Sequence, residues 1–145
     1  MEELIALREL LQTGNLSSAL LMIDEMEEMS KKDILNQIRS YSIILLLHLI
    51  KQKAENRTTR SWEVSIRNST LEIQDLNARP NSKGNYLNNQ ELRESLDSGF
   101  RQAINQASLE VNEGRYDVCE LEKIVDKQEI CDRAMMIISS QRDLD

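Results

Sequence analysis

The chain contains 145 residues, carries a formal net charge of −7 and has only 3% aromatic residues. This length is typical of one ordinary domain, and we expect a single domain over residues 1–145. Leucine, isoleucine and methionine supply the apolar content, which favours packed helices over a β-sandwich. The negative charge makes the chain a poor candidate for wrapping duplex DNA, because that function requires a broad basic surface, and it leaves room only for a small local basic site.

The sequence shows neither a membrane segment nor a metal-binding cysteine motif. The longest apolar runs, among them Ile43 to Leu47, have five residues, whereas a helix that spans a bilayer needs about 20. No secretory signal is recognisable at the N-terminus, and we expect a cytoplasmic protein. Cys119 and Cys131 lack a CxxC spacing and neighbouring histidines, so we interpret both as reduced residues of the core.

Two helices are predicted at the N-terminal end of the chain. Leucines at helical spacing predict the first helix over Glu2 to Gln12, and the residues Thr13 to Asn15 end it. The second helix begins at Leu16 and carries an acidic run over residues 24–28. We interpret this run as a solvated helix face.

The third helix is predicted to lie at the centre of the molecule. Ser30 followed by Asp33 resembles an N-cap with a carboxylate in the first turn. We therefore expect a turn at Ser30 and a new helix that continues to about Glu55. From Ile43 to Ile50 this helix is apolar nearly all round, which is typical of a helix that neighbours cover on several sides.

Turn residues separate the next two helices. The turn Asn56 to Thr59 precedes a fourth helix, which ends before the loop Arg79 to Leu87. A fifth helix begins at Asn88 or Asn89 and stops at Gly114. Gly99 lies inside this fifth helix at a cost of about 1 kcal/mol relative to alanine, which predicts a close helix crossing.

Two short helices are predicted at the C-terminal end. Asp117 and Asp126 are each followed three residues later by a glutamate, as at a capped helix start. The last helix is amphipathic and would dock on the body or on a second copy, and the tail after Ser139 would fray. We therefore predict an all-α fold, a single helical bundle of about five main helices plus two short C-terminal helices.

A candidate binding patch lies where the third and fourth helices meet. Between Lys51 and Arg67, five basic residues stand against two acidic ones, in a chain that is acidic overall. If the two helices are antiparallel about Arg57, facing positions sum to about 114, which places His48 beside Ile66 and Lys51 beside Glu63. The candidate patch consists of His48, Lys51, Arg57, Arg60, Trp62 and Arg67.

Two interpretations of this patch are open. In the functional one, the basic residues bind an anion and His48 acts as a base or ligand. In the structural one, His48 is a hydrogen-bonded core histidine under Trp62, and Lys51 pairs with Glu63.

Other chemistries lack the necessary residues. A metal site would recruit Glu25 or Glu28, but a turn at Ser30 would leave Glu25 on the order of 20 Å from His48. No nucleophile motif or glycine-rich phosphate loop occurs, and we expect no metal and no cofactor. Trp62 is the only aromatic residue near the basic turn, whereas single-stranded nucleic acid binding usually requires several.

The residues of this stretch resemble the bacterial family catalogued as domain of unknown function 29. Its pattern of His-Leu-x-Lys, then Arg, then Arg-Ser-Trp, then Ile, is similar to His48, Leu49, Lys51, Arg57, Arg60, Ser61, Trp62 and Ile66. Its glycine before a glutamate-rich helix resembles Gly14 and residues 24–28, and its loop and alanine-containing helix resemble Pro80 to Ser82, Ala103 and Ala107.

The resemblance covers about Leu7 to Glu113. The chain lacks the family's N-terminal aromatic and acidic lead-in and its C-terminal Cys-Pro-Trp type segment. The resemblance implies a helical bundle from a bacterium and no established activity.

Two functional hypotheses follow. The first is a non-enzymatic module that binds another protein, and also itself as a homo-oligomer, through the terminal helices and the acidic second helix. Methionines near both ends of the chain favour it, because adaptable methionines are common at binding surfaces. The alternative is an enzyme or ligand-binding protein that acts on a phosphate-bearing or nucleotide-like molecule at the basic turn.

Overall fold

Helices make up most of residues 1–80 and 84–140, which are the residues that the computed structural model describes. The all-α prediction is confirmed. The only β-type pairing among the described residues is an isolated bridge between Ala78 and Asn85. The α-helices are α1 Glu2–Gln12, α2 Leu16–Glu55, α3 Arg60–Asn77, α4 Asn89–Glu110, α5 Val118–Ile124 and α6 Lys127–Ser140, with a 3₁₀ helix at Val111–Gly114.

The predicted turn at Ser30 is wrong. Helix α2 runs without interruption from Leu16 to Glu55, so the predicted second and third helices are one helix. Residues 26–33 contain neither glycine nor proline, and Ser30 is an exposed helical residue. Serine inside an exposed helix costs only a few tenths of a kcal/mol relative to the best helix formers, so it does not end a helix by itself.

The chain divides into two compact units, and the single-domain prediction stays a prediction. The N-terminal unit is Met1–Ile34 and the C-terminal unit is Leu35–Asp145. None of the described helices is both long enough and apolar enough to cross a bilayer.

The N-terminal unit contains α1, a tight turn and the first part of α2. Gly14 has φ +77°, and Asn15 N donates to Leu10 O at 2.8 Å, which closes the turn. Glycine adopts this left-handed conformation without a steric penalty. Within residues 1–34, all of which are described, Ala19 is the only fully buried side chain.

The core of the C-terminal unit consists of aliphatic side chains. The second half of α2 contributes Leu45, Leu46, Leu49 and Ile50, none of which is exposed. Helix α6 packs against α3 and α4, and Gln74 Nε2 donates to Ile138 O at 2.6 Å. The last helix was predicted to dock either on the body of the protein or on a second copy. In the structure it docks on the body.

Polar caps set the starts of α4, α5 and α6. Asn88 and Asp117 each form a capping box with a glutamate three residues later, which satisfies backbone N–H groups at the helix start. Asp126 Oδ1 accepts from Gln128 N at 3.3 Å. The predicted starts of these three helices are confirmed.

The predicted close crossing at Gly99 is confirmed. A Cβ atom on Gly99 would lie 3.1 Å from Ile43 Cγ1 and 3.8 Å from Arg39 O. Helices α2 and α4 therefore approach each other more closely than a larger residue would permit.

Asn77 fixes the two ends of the predicted loop between α3 and α4. Its side chain donates to Leu87 O at 3.2 Å and accepts from Leu87 N at 2.8 Å. Residues 81–83 at the centre of this loop lie outside the described residues, as do residues 141–145 of the predicted frayed tail.

The prediction of two core cysteines is half wrong. Cys131 is buried, but Cys119 is exposed, and both are free thiols. Cys119 is the second residue of α5, whose fully buried side chain is Leu121. The short helix turns Cys119 away from the core.

Candidate functional site

The position of Trp62 is set by the start of α3. Thr59 has extended backbone and caps the helix, because its Oγ1 accepts from Trp62 N at 3.1 Å. Gln52 Nε2 donates to Thr58 Oγ1 at 2.7 Å and ties the loop back to α2. The Trp62 side chain is only 9% exposed.

Two cations lie over the Trp62 ring. Lys51 Nζ is 5.1 Å from the ring centroid, and Arg57 Cζ is 4.7 Å from it. A cation over an indole ring is attracted by the ring quadrupole, with about 0.5–2 kcal/mol of stabilisation depending on desolvation. Trp62 therefore links the end of α2 to the loop that follows it.

Each of these cations is also ion-paired. Lys51 Nζ lies 2.9 Å from Glu110 Oε1, and Arg57 Nε lies 2.8 Å from Glu55 Oε1. The side chains of Lys51 and Glu55 are both 10% exposed. We call Lys51, Glu55, Arg57, Trp62 and Glu110 the tryptophan cluster.

The predicted pair between Lys51 and Glu63 is wrong. The predicted pairing of α2 with α3 placed Lys51 beside position 63. This is within one residue of the observed position, because Lys51 lies over the ring of Trp62. Lys51 nevertheless pairs with Glu110 at the end of α4, and Glu63 is exposed. The pairing of α2 with α3 carries no information on the position of α4.

Hydrogen bonds and nearby charges stabilise the ionised form of Glu110. Burial raises the pKa of this carboxyl, but hydrogen bonds from Lys51 and Gln106, with the charges of Lys51 and His48, outweigh burial and lower the pKa. Gln106 Nε2 donates to Glu110 Oε2 at 3.0 Å. Glu110 therefore keeps its negative charge beside Lys51.

His48 is half-buried and uses one ring nitrogen within its own helix. Nδ1 lies 2.8 Å from Ile44 O. Because a carbonyl oxygen can only accept, Nδ1 is the donor in this contact. The hydrogen bond agrees with the structural interpretation of His48.

Two of the predicted patch residues lie apart from the cluster. Arg60 and Arg67 are seven positions apart on α3 and are exposed, whereas Trp62, Ile66 and Ile73 form its buried face. Helical geometry places the two arginines on the opposite face from Trp62. The structure thus brings Lys51, Arg57 and Trp62 together, with His48 near Glu110, and separates Arg60 and Arg67 from them.

A left-handed turn after α4 completes the cluster. Asn112, Glu113 and Gly114 have φ values of 46°, 59° and 79°, and Glu55 Oε2 accepts from Asn112 N at 3.3 Å. A cavity of about 360 Å³ adjoins this turn and is lined by Glu55, Arg57, Glu110, Asn112, Glu113 and Arg115. Its carboxylates were missed in the sequence because Glu55 and Glu110 are far apart along the chain.

A second, larger groove lies among α4, α5 and α6. Its volume is about 1010 Å³, and its walls carry both signs of charge. Lys127 Nζ lies 5.9 Å from the Phe100 ring centroid, and Lys53 Nζ lies 3.2 Å from Glu129 Oε1. No local sequence pattern indicated this groove.

The N-terminal unit exposes a large amount of apolar surface. Eight of the fifteen large apolar side chains exposed among the described residues belong to residues 1–34. Their exposure is high, for example 55% for Leu4, 62% for Leu16 and 58% for Leu20. We define the N-terminal apolar surface as Leu4, Ile5, Leu11, Leu16, Leu20, Leu21 and Met29.

Within residues 1–80 and 84–140, no group of three or more histidine, cysteine or acidic side chains is arranged to hold a metal ion. The fold and these features define an all-α protein with an ion-paired tryptophan cluster and an apolar N-terminal surface. Residues 7–132 match the family described as Domain of unknown function DUF29, and the chain belongs to this family. No curated protein and no solved structure matches the chain.

Proposed function

We propose that this chain is a non-enzymatic protein-interaction module and that its N-terminal unit carries the binding surface. The observation that supports this proposal is the contrast between the exposed apolar residues of this unit and its single fully buried residue, Ala19. Apolar patches larger than a few hundred Å² are rare on monomeric proteins and mark interaction sites. A partner that covers the surface removes this apolar area from water.

Covering the exposed leucines contributes part of the free energy of binding. Burying the remaining exposed half of one leucine gains about 1 kcal/mol, so the seven residues of the N-terminal apolar surface provide roughly 5 kcal/mol or more. Ordering costs reduce this figure, and hydrogen bonds and ion pairs at the rim add to it.

The alternative, a protein that binds a phosphate-bearing or nucleotide-like molecule at the basic turn, has less support. Lys51 and Arg57 are already paired with Glu110 and Glu55, so an incoming anion would compete with two carboxylates. Arg60 and Arg67 lie on another face of α3. The anion site, the cytoplasmic location and the bacterial origin all stay predictions.

The test uses two variants of the full chain. The N-terminal variant carries Leu4→Gln, Leu11→Gln, Leu16→Gln and Leu20→Gln. The control variant carries Leu109→Gln and Met136→Gln, because these side chains are 70% and 71% exposed and lie in the C-terminal unit. Circular dichroism and melting first establish that all three proteins fold.

Native co-purification from the source cell then compares the three proteins. We expect a stoichiometric partner with the wild type and the control, and its loss with the N-terminal variant. Sedimentation over a range of concentrations measures self-association in the same samples. The proposal fails if the N-terminal variant keeps the partner, or if the wild type is monomeric and binds nothing.

A further inference from the structure

Negative charge is concentrated in the N-terminal unit. Residues 1–34 contain eight carboxylate side chains and three basic ones, a net charge of −5 in a chain of −7. The remaining residues therefore carry a net charge of only −2. The part of the chain with the apolar surface is also the part with most of the excess negative charge.

Leucines and carboxylates lie along the same face of α2. Leu16, Leu20, Asp24 and Glu27 follow one another at spacings of four, four and three residues, which places them in one row on a helix. All four side chains are exposed. Among the described residues, no ion pair or hydrogen bond engages the side chains of Asp24, Glu25, Glu27 and Glu28, so these charges remain available to a partner.

The negative charge of this surface indicates which kind of partner it can bind. A second copy would bring two units of −5 together, and an anionic membrane or a nucleic acid would be repelled in the same way. A helix with an apolar stripe and lysine or arginine beside it would meet the leucines with its apolar side chains and the carboxylates with its basic ones.

We propose that the face of α2 that carries Leu16, Leu20, Asp24 and Glu27 binds a basic amphipathic helix of another protein. This inference rests on the proposed function and specifies the partner class. The row from Leu16 to Glu27 extends about 16 Å, which is the length of a helix of about 11 residues.

The probe is a synthetic amphipathic peptide of about 18 residues with leucines at i, i+3, i+4 and i+7 and lysine at most other positions. A matched peptide replaces each lysine with glutamate. Fluorescence anisotropy measures the affinity of both labelled peptides for the full chain at about 0.15 M and about 0.5 M salt. Sedimentation measures self-association of the chain without peptide.

Two charge variants separate local charge from net charge. The acidic-face variant carries Asp24→Asn, Glu25→Gln, Glu27→Gln and Glu28→Gln. The matched control removes four exposed carboxylates of the C-terminal unit, through Glu63→Gln, Glu72→Gln, Glu94→Gln and Glu122→Gln. Both variants have the same net charge.

We expect the lysine peptide to bind the wild type and the matched control at least ~10-fold more tightly than the glutamate peptide, with weaker binding at the higher salt. The acidic-face variant should lose at least ~10-fold in affinity for the lysine peptide, and the N-terminal variant should lose a similar factor. That pattern supports a basic amphipathic partner.

Three results would overturn the inference without deciding the proposed function, which the co-purification test decides separately. The first is equal affinity for both peptides, or no binding of either. The second is equal loss in both charge variants, which would show a dependence on net charge alone. The third is a dimer that the N-terminal variant abolishes, which would make a second copy the occupant.

Discussion

Replacing Glu110 by glutamine tests the tryptophan cluster most directly. The change removes the charge that faces Lys51, whose side chain is only 10% exposed, and keeps a carbonyl oxygen that can accept a hydrogen bond. Breaking a fully buried pair from one side costs about 3–5 kcal/mol. Because the Glu110 side chain is 36% exposed and Trp62 still attracts the lysine, we expect a smaller loss of about 2 kcal/mol.

The assay is urea unfolding followed by both circular dichroism and tryptophan fluorescence. Trp62 is the only tryptophan, so its emission reports on the cluster itself. A loss of 2 kcal/mol corresponds to a fall in melting temperature of about 4–8 °C for a chain of this size. Lys51→Met, alone and combined with Glu110→Gln, completes a double-mutant cycle, for which we expect a coupling energy of about 1–2 kcal/mol.

Glu63→Gln is the matched control, because this exposed carboxylate is the partner that the helix register suggested for Lys51. Its replacement should change the free energy of unfolding by less than about 0.5 kcal/mol. Equal losses in the Glu63 and Glu110 variants, or a coupling energy near zero in the cycle, would refute the assignment of Glu110 as the partner of Lys51.

Three further predictions concern other parts of the C-terminal unit. Gly99→Val should reduce the free energy of unfolding, measured in urea, by about 1–3 kcal/mol, because the Cβ atom of the new side chain would lie 3.1 Å from Ile43 Cγ1. The loss should be smaller when the same change is made in a protein that also carries Ile43→Ala. Iodoacetamide at pH 8 should modify exposed Cys119 before Cys131, and mass spectrometry measures the two rates. Burial and the charge of Asp97 raise the pKa of Cys131 to about 11, so this residue stays an unreactive thiol. Equal rates of modification would contradict this prediction. The pKa of Glu110 in the folded protein lies below its ordinary value of 4.5, so its stabilising charge is present above that pH and is lost as the pH falls through the folded pKa. When unfolding is measured from pH 7 to pH 3, the free energies of unfolding of the Glu110→Gln variant and the wild type should therefore converge. A constant difference between them would contradict the lowered pKa.

Local sequence signals predicted the helices well where a helix end has a chemical cause. The capping boxes at Asn88 and Asp117 are visible in the sequence because both partners lie three residues apart. The end of α1 at Gly14 is visible because its positive φ suits glycine.

Ser30 shows why such signals also fail. A serine with a carboxylate three residues later is compatible with an N-cap and with the interior of an exposed helix. Which of the two structures forms depends on whether a neighbouring residue interrupts the backbone hydrogen bonds of the helix. Residues 26–33 contain no glycine or proline that would do so.

The sequence predicted only the part of the candidate site that is formed by α2, α3 and the turn between them. The spacing around Arg57 brought Lys51 close to Trp62, which the structure shows. The partner carboxylate Glu110 follows Lys51 by 59 positions, and its location depends on how α4 packs across α2. The exposure of the N-terminal leucines likewise depends on tertiary packing, because an amphipathic pattern does not say which apolar residues remain uncovered.

The turn at Asn112–Gly114 restricts how this sequence can vary. Three consecutive residues with positive φ exclude β-branched side chains and favour glycine, asparagine and aspartate. At Gly114 a Cβ would also lie 3.2 Å from Leu109 O. Related chains that keep this helix end should therefore avoid β-branched residues at these three positions and keep glycine at the third, even where the surrounding surface has diverged.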